Sequence, residues 1–421
     1  MGMTVTEKIL AAHAELDKVR PGQLVTAKVD LAMGSDATAP LAIEQFERFG
    51  ASKVFDPTKV MLVPDHFAPN KDIGSAEKCK QLRQFARKHN LVHYYELGEM
   101  GILHVLAPEQ GLVAPGELIV GADSHTTTHG ALGAFATGVG STDLAATMIS
   151  GRLWFRVPPT IKVTYRGVPG PWAGAKDFIL ETIARLGVEG ARYKALEFAG
   201  PVLAALSMDG RFTMAGMAAE AGAKNAVFPV DEKTRAYLDG RVTRPYTVYD
   251  SDPDAEYETE MEVDVSGMEP MVALPHLPSN VKPVSQAGNV PLQQAVIGCS
   301  CNSRIGDLRE AAAVLKGRGR HPEMRLIIIP GTPTVYREAL REGLIETFLD
   351  AGAVISTPTR GPCLGGHMGV LAAGERAVAT SNRNYVGGMG HPDSEVYLAN
   401  PAVAAASAVA GRLVGPEALG L

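Results

Sequence analysis

The chain is poor in cysteine and tryptophan, and it has no long apolar run, no biased segment and no internal repeat. Only four cysteines, Cys79, Cys299, Cys301 and Cys363, occur in 421 residues. So few thiols, so unevenly spaced, exclude a disulfide framework in a chain of this size. No apolar run approaches the roughly 20 residues that a membrane helix needs, which removes the membrane as a partner. The opening stretch MGMTVTEKILAAHAELDKV lacks the apolar centre of a secretory signal and is charged throughout. A cytoplasmic location is therefore expected. Gly2 and Thr6 fit the outline of a myristoylation signal, but that pattern is too short to carry weight. A basic cluster is missing too, and the net charge of −6 argues against nucleic acid as a partner.

What is there is an ordinary globular composition, 46% hydrophobic and 20% charged. The length suggests about three domains. Thr4 with Glu7 reads as a capping box opening the first helix. Short β-branched runs alternate with helical stretches: KVMLVP then SAEKCKQLRQFARKH, ELIVGAD then a helix, MRLIIIPG then TVYREALREGLIETFLDAG. That alternation predicts an α/β fold with mainly parallel sheets covered by helices. Pro/Gly-rich crossings near 158 and 285 predict three α/β domains: 1–158, 159–285 and 286–421.

Polar side chains collect where predicted strands end, which is where open α/β sheets bind ligands. LIVGADSHTTTHG ends a strand in Asp123, Ser124 and His125, and MLVPDHFAPN ends another in Asp65 and His66. His104 falls in what reads as a glycine-rich loop, and Glu220 follows in RFTMAGMAAEAGAK. Asp123 and Ser124 could simply cap the next helix. Three histidines with carboxylates in reach favour acid-base chemistry instead, because a carboxylate fixes the imidazole tautomer and tunes its pKa. Cys79, on a polar helix, reads as a bystander.

The stretches GADSHTTTHGALGAFATGVGSTDLA, PDHFAPN, RFTMAGMAAEAGAK, CNSRIGDLREAA and TSNRNYVGGMGHPDSEVYLANPAVAAASAVAG resemble the large subunits of 3-isopropylmalate dehydratase and homoaconitase, in the aconitase superfamily. The likeness covers nearly the whole chain. It implies three α/β domains around a central cleft, and a hydro-lyase that removes and re-adds water on a small anionic hydroxy-carboxylate. It further implies a separate small subunit with a swivelling fourth domain, since that domain's Gly-Ser-Ser-Arg signature is absent here. Carried over residue by residue, the acid-base pairs are Asp65 with His66, His104 with Asp123, and His125 with Glu220. Ser124, Asn302, Arg304, Asn382 and Arg383 fall on substrate-binding positions.

Departures from the family pattern gather at one place. The family holds a [4Fe-4S] cluster with three cysteines, the first in Gly-Ser-Cys-Thr-Asn-Ser-Arg and the others in Cys-Gly-x-Cys. Here Ser300 takes the first ligand position, between Cys299 and Cys301, and Arg360 takes the second, leaving Cys363. Gly216 stands where the family has an asparagine beside the cluster, and Gly388 where it has a second carboxylate-binding arginine. Serine is a poor iron ligand and a guanidinium is none. A standard cluster is therefore disfavoured; the alternatives are no metal, a mononuclear metal, or a non-standard cluster on Cys299, Cys301 and Cys363. Strand alternation would turn both flanking thiols into the core, inert, with Ser300 facing the site. A local bulge would turn them inward. Arg360 could instead hold a substrate carboxylate, offsetting Gly388.

Three readings follow: a divergent hydro-lyase without the usual cluster, an ordinary isomerase with an irregularly ligated one, or a non-enzymatic scaffold or binding subunit.

Overall fold

In the computed structural model, which describes residues 2–421, parallel sheets and helices alternate along the chain. Two compact units result, one from residues 1–165 and 190–262, the other from residues 166–189 and 263–421. Each unit thus joins two separate stretches of the chain. Only the strands Met271–Ala273 and Val281–Pro283 of the middle segment join the sheet of the last one.

The first unit is built on a five-stranded parallel sheet ordered His93–Tyr94, Val60–Val63, Leu31–Ser35, Leu118–Gly121, Phe135–Gly138. Its three central strands are buried along their whole length, because helices cover both faces of a parallel sheet. Ala32, Val60, Leu62, Leu118 and Val120 form one core with Ala42 and Phe46 of the helix Ala39–Arg48, Leu82 and Phe85 of Ile73–Lys88, and Leu144 and Met148 of Ser141–Ser150. The chain enters this unit through the helix Val5–His13, whose capping box is complete: Glu7 N donates to Thr4 Oγ1 and Thr4 N to Glu7 Oε2. Such a cap is worth about 1 kcal/mol.

The second unit holds a seven-stranded sheet with Gln294–Ile297 between Arg376–Ala379 and Arg325–Ile328, all parallel. The stretch TVYREALREGLIETFLDAG, one helical run by pattern, forms two helices, Pro333–Arg341 and Leu344–Asp350. Gly343 adopts a φ of +73° between them, and that left-handed residue ends the first helix. A second difference concerns His104, which lies in the helix Leu103–Glu109 and not in a loop.

Candidate active site

Adjacent strands of the first sheet deliver the acid-base residues. Val60–Val63 pairs with Leu31–Ser35, which pairs with Leu118–Gly121, so their carboxyl ends lie side by side. Asp65 and His66 follow the first of these ends, Asp36 the second, and Asp123, Ser124 and His125 the third. His66 Nδ1 lies 2.6 Å from Asp65 Oδ1, while Asp65 Oδ2 accepts from Leu103 N at 2.8 Å. That bond ties the His66 pair to the start of the helix carrying His104. His104 Nε2 lies 3.4 Å from Asp123 Oδ1, and its Nδ1 is 3.3 Å from His129 Nε2.

Asp123 serves a second histidine as well. It caps the 3-10 helix Ser124–Leu132, accepting from His125 N at 2.8 Å, and stands 3.2 Å from His125 Nδ1. The other ring nitrogen, His125 Nε2, lies 2.6 Å from Glu220 Oε1. A histidine with a carboxylate on each nitrogen is fixed in orientation. Asp65, His66, His104, His125 and Glu220 are all buried. Within these distances, the three pairs expected from the sequence are neighbours in space. Asp36 and His129 were not anticipated. Asp36 reads as a turn residue in GSDATAP, and His129 as part of a Thr/His run with no strand end beside it.

Thiol and guanidinium groups gather in the second unit. The strand Gln294–Ile297 stops before the motif; Gly298 has φ +144° and Cys299 φ +81°. Residues 299–301 thus form a turn, and strand alternation does not govern them. A Cβ on Gly298 would lie 2.5 Å from Ile329 Cβ, so only glycine fits this exit. Cys299 Sγ and Ser300 Oγ both donate to Asn382 Oδ1, at 3.7 and 3.1 Å, which places serine and one thiol on the same side. The expectation that Ser300 faces the site while Cys299 faces away is thereby corrected. The turn is pinned to its neighbour strand by Thr380 Oγ1, which donates to Gly298 O and accepts from Gly298 N. Lys176, fully buried, donates to Thr380 O at 3.1 Å and Ser381 O at 2.7 Å, holding the segment that leads to Asn382 and Arg383. Burial lowers its pKa; the nearby Cys301, Cys299, Asp307 and Asp177 oppose that.

The Arg360 loop supplies the remaining thiol. Arg360, 4% exposed, precedes the short 3-10 turn Gly361–Leu364 that carries Cys363. The Cys299 side chain, hydrogen-bonded to the Cys363 thiol, pushes its pKa well above the ordinary range; burial adds to this, and Arg360, also bonded to it, pulls the other way. Asn302 Nδ2 and Arg304 N both donate to Asp307, at 2.9 Å each, and Arg304 Nη1 donates to Cys301 O. Arg383 is half-buried and Gly388 brings no side chain.

Measured against a [4Fe-4S] cluster, this donor set does not fit. Of the three motif positions only Cys363 offers sulfur; the Ser300 hydroxyl is bonded to Asn382, and Arg360 is a buried cation. Two of the remaining thiols, Cys299 and Cys363, are hydrogen-bonded to each other. Among the described residues, the only ligating side chains with three donor atoms within 4.8 Å of one another are Asp36, Asp65 and His66.

Comparison with known proteins agrees with the fold and the motifs. The model of the aconitase family (aconitate hydratase) matches residues 7–291 and 285–411. The 3-isopropylmalate dehydratase large subunit of Moorella thermoacetica is 64% identical over 417 residues, covering 99% of both chains. That of Syntrophus aciditrophicus is 62% identical over 419 residues, covering 100% of both. Among solved structures, aconitase X of Thermococcus kodakaraensis superposes with a TM-score of 0.51 at 15% identity over 90% of this chain and 89% of that one, a likeness of fold. Full-length identity at this level, joined to a family match over nearly every residue, places the chain in the aconitase family as a hydro-lyase.

Proposed function

We propose that the chain is the large subunit of a dehydratase acting on a hydroxy-carboxylate of the 3-isopropylmalate type, without the standard iron-sulfur cluster. Its relatives are large subunits, which supports a separate small-subunit partner. The observation that carries the acid-base reading is His125 held between Asp123 at 3.2 Å and Glu220 at 2.6 Å. Loss of water requires a proton for the departing hydroxyl, and an imidazole held by a carboxylate on each nitrogen is positioned to carry one. His66 with Asp65 and His104 with Asp123 offer two further proton-carrying groups, and Ser124 and Asn302 offer hydrogen bonds to substrate. Arg360, Arg304 and Arg383 supply cations for carboxylates, Arg360 from a cluster-ligand position of the family's motif.

The test is anaerobic co-expression with the small subunit, followed by iron and sulfide analysis and a dehydration assay on 3-isopropylmalate and related 2-hydroxy acids. Turnover by an iron-free complex is the expected result. Activity that tracks several irons per chain sinks the cluster-free reading. That second reading, an ordinary isomerase with an irregular cluster, draws its support from the 64% identity to the Moorella subunit.

A further inference from the structure

The buried carboxylate of Asp36 has no role so far in the proposed reaction. Asp36 sits at the end of Leu31–Ser35, is 0% exposed, and spends both oxygens on the backbone of the neighbouring strand end. Its Oδ1 accepts from His66 N at 2.9 Å and its Oδ2 from Phe67 N at 2.8 Å. The same Oδ1 lies 3.5 Å from His66 Nδ1, the nitrogen that Asp65 holds at 2.6 Å. Behind it, Cys79 Sγ donates to Asp36 Oδ2 at 3.8 Å and accepts from Asn70 Nδ2 at 3.0 Å.

We infer that Asp36 is a positioning residue for His66: by gripping the His66–Phe67 peptide and standing beside Nδ1, it fixes the direction in which the opposite ring nitrogen points. The inference rests on His66 being an acid-base group. A carboxylate with two backbone N–H donors is rigidly placed, and two carboxylates on one imidazole edge fix its tautomer more tightly than one. Metal binding is the competing use of Asp36, Asp65 and His66, but here both Asp36 oxygens and one Asp65 oxygen already accept backbone N–H groups. Cys79 thereby gains a reason for its place: burial first, and then the Asp36 charge, push its thiol up to about 11, so it stays a neutral donor to Asp36.

The experiment uses the complete chain with its small subunit and compares Asp36→Asn and His66→Ala with the parent. Two readouts are taken: kcat and KM separately, and the 15N signals of the His66 imidazole across pH, assigned by their loss in His66→Ala. Asn keeps the size of Asp but offers a single acceptor oxygen, without charge. The expected result is a kcat lower by about 10- to 100-fold with KM little changed, together with a His66 titration moved to lower pH and a changed tautomer ratio. Parent-like His66 signals in folded Asp36→Asn overturn the positioning role, whatever the kinetics. Unchanged turnover in His66→Ala instead removes the acid-base role of His66. If Asp36→Asn does not fold, Asp36→Glu takes its place, and unaltered His66 signals with unaltered kcat in that variant overturn the proposal equally.

Discussion

Ser300 Oγ donates a 3.1 Å hydrogen bond to Asn382 Oδ1, the oxygen that Cys299 Sγ also approaches at 3.7 Å. A hydroxyl so placed is part of a closed polar arrangement, and beside it Cys363 is bonded to Cys299 and Arg360. The serine and arginine at the motif positions, Cys363 and the neighbouring Cys299 thus bond to protein groups.

Restoring sulfur should therefore restore metal binding. The double variant Ser300→Cys with Arg360→Cys presents three thiols at the motif positions and removes the buried cation. Anaerobic reconstitution with ferrous iron and sulfide should give it visible iron-sulfur absorbance and several irons per chain, with the parent staying colourless. Equal iron in both proteins would show that the parent's own thiols suffice.

The His125–Glu220 contact leads to a kinetic expectation. Glu220→Gln keeps the shape and one acceptor but withdraws the negative charge that lies 2.6 Å from His125 Nε2. Turnover of the complex should fall by roughly a hundredfold or more, with the melting temperature nearly unchanged. Steady-state assays beside a thermal melt check this; parent-like kcat would remove Glu220 from the reaction.

Much of this site was legible because it sits at strand ends. Asp65–His66 and Asp123–His125 follow apolar runs whose parallel pairing the alternation of strands and helices already implied. The Thr4–Glu7 cap was equally local, a matter of spacing three residues apart. What was hidden depended on chain direction or on distant partners. Cys299 has a left-handed backbone that spacing alone does not reveal, so alternation put its thiol on the wrong side. Cys79 looked incidental on its helix because its partner Asp36 is 43 residues away. Asp36 itself resembled a turn residue, since its acceptors serve a strand end that sequence order does not place beside it.

Arg211 tests the frame of the first unit. Its side chain is fully buried, with Nη1 and Nη2 on Asp231 Oδ1 and Oδ2 at 2.8 and 2.5 Å and Nη2 on Leu203 O. Burial works to raise the Asp231 pKa, but the Arg211 bond and the Thr234 N–H outweigh it and hold it at about 2. Arg211→Met should cost about 2–3 kcal/mol, less than a wholly buried pair because Asp231 is part-exposed. A depressed carboxylate pKa stabilises above its unfolded value, so parent and variant should converge as pH falls from about 4 toward 2. Urea midpoints across that range decide it, and a gap independent of pH would point to lost packing alone.

Glu310 should show the opposite sign. Burial pushes its carboxyl up to about 8, and the nearby Asp307 and Asp177 add to the shift. Asp177 is itself raised to about 6 by burial, against the donors Met271 N, Asn400 Nδ2 and Gly174 N. The folded protein therefore keeps a proton on Glu310 at neutral pH that the unfolded chain, titrating near the ordinary Glu value of about 4.3, gives up. Since the native state binds more protons, stability falls as pH rises between those two values, and the contribution is fully present only below the lower one. Glu310→Gln is a permanently neutral isostere whose carbonyl can still accept from Ala402 N, the 3.3 Å bond that Glu310 Oε1 makes. Parent and variant should have similar melting temperatures at pH 5. The variant should then gain on the parent steadily to pH 8, beyond which the difference levels off. Parallel melting curves over that range would mean that Glu310 titrates normally and that water reaches its carboxyl.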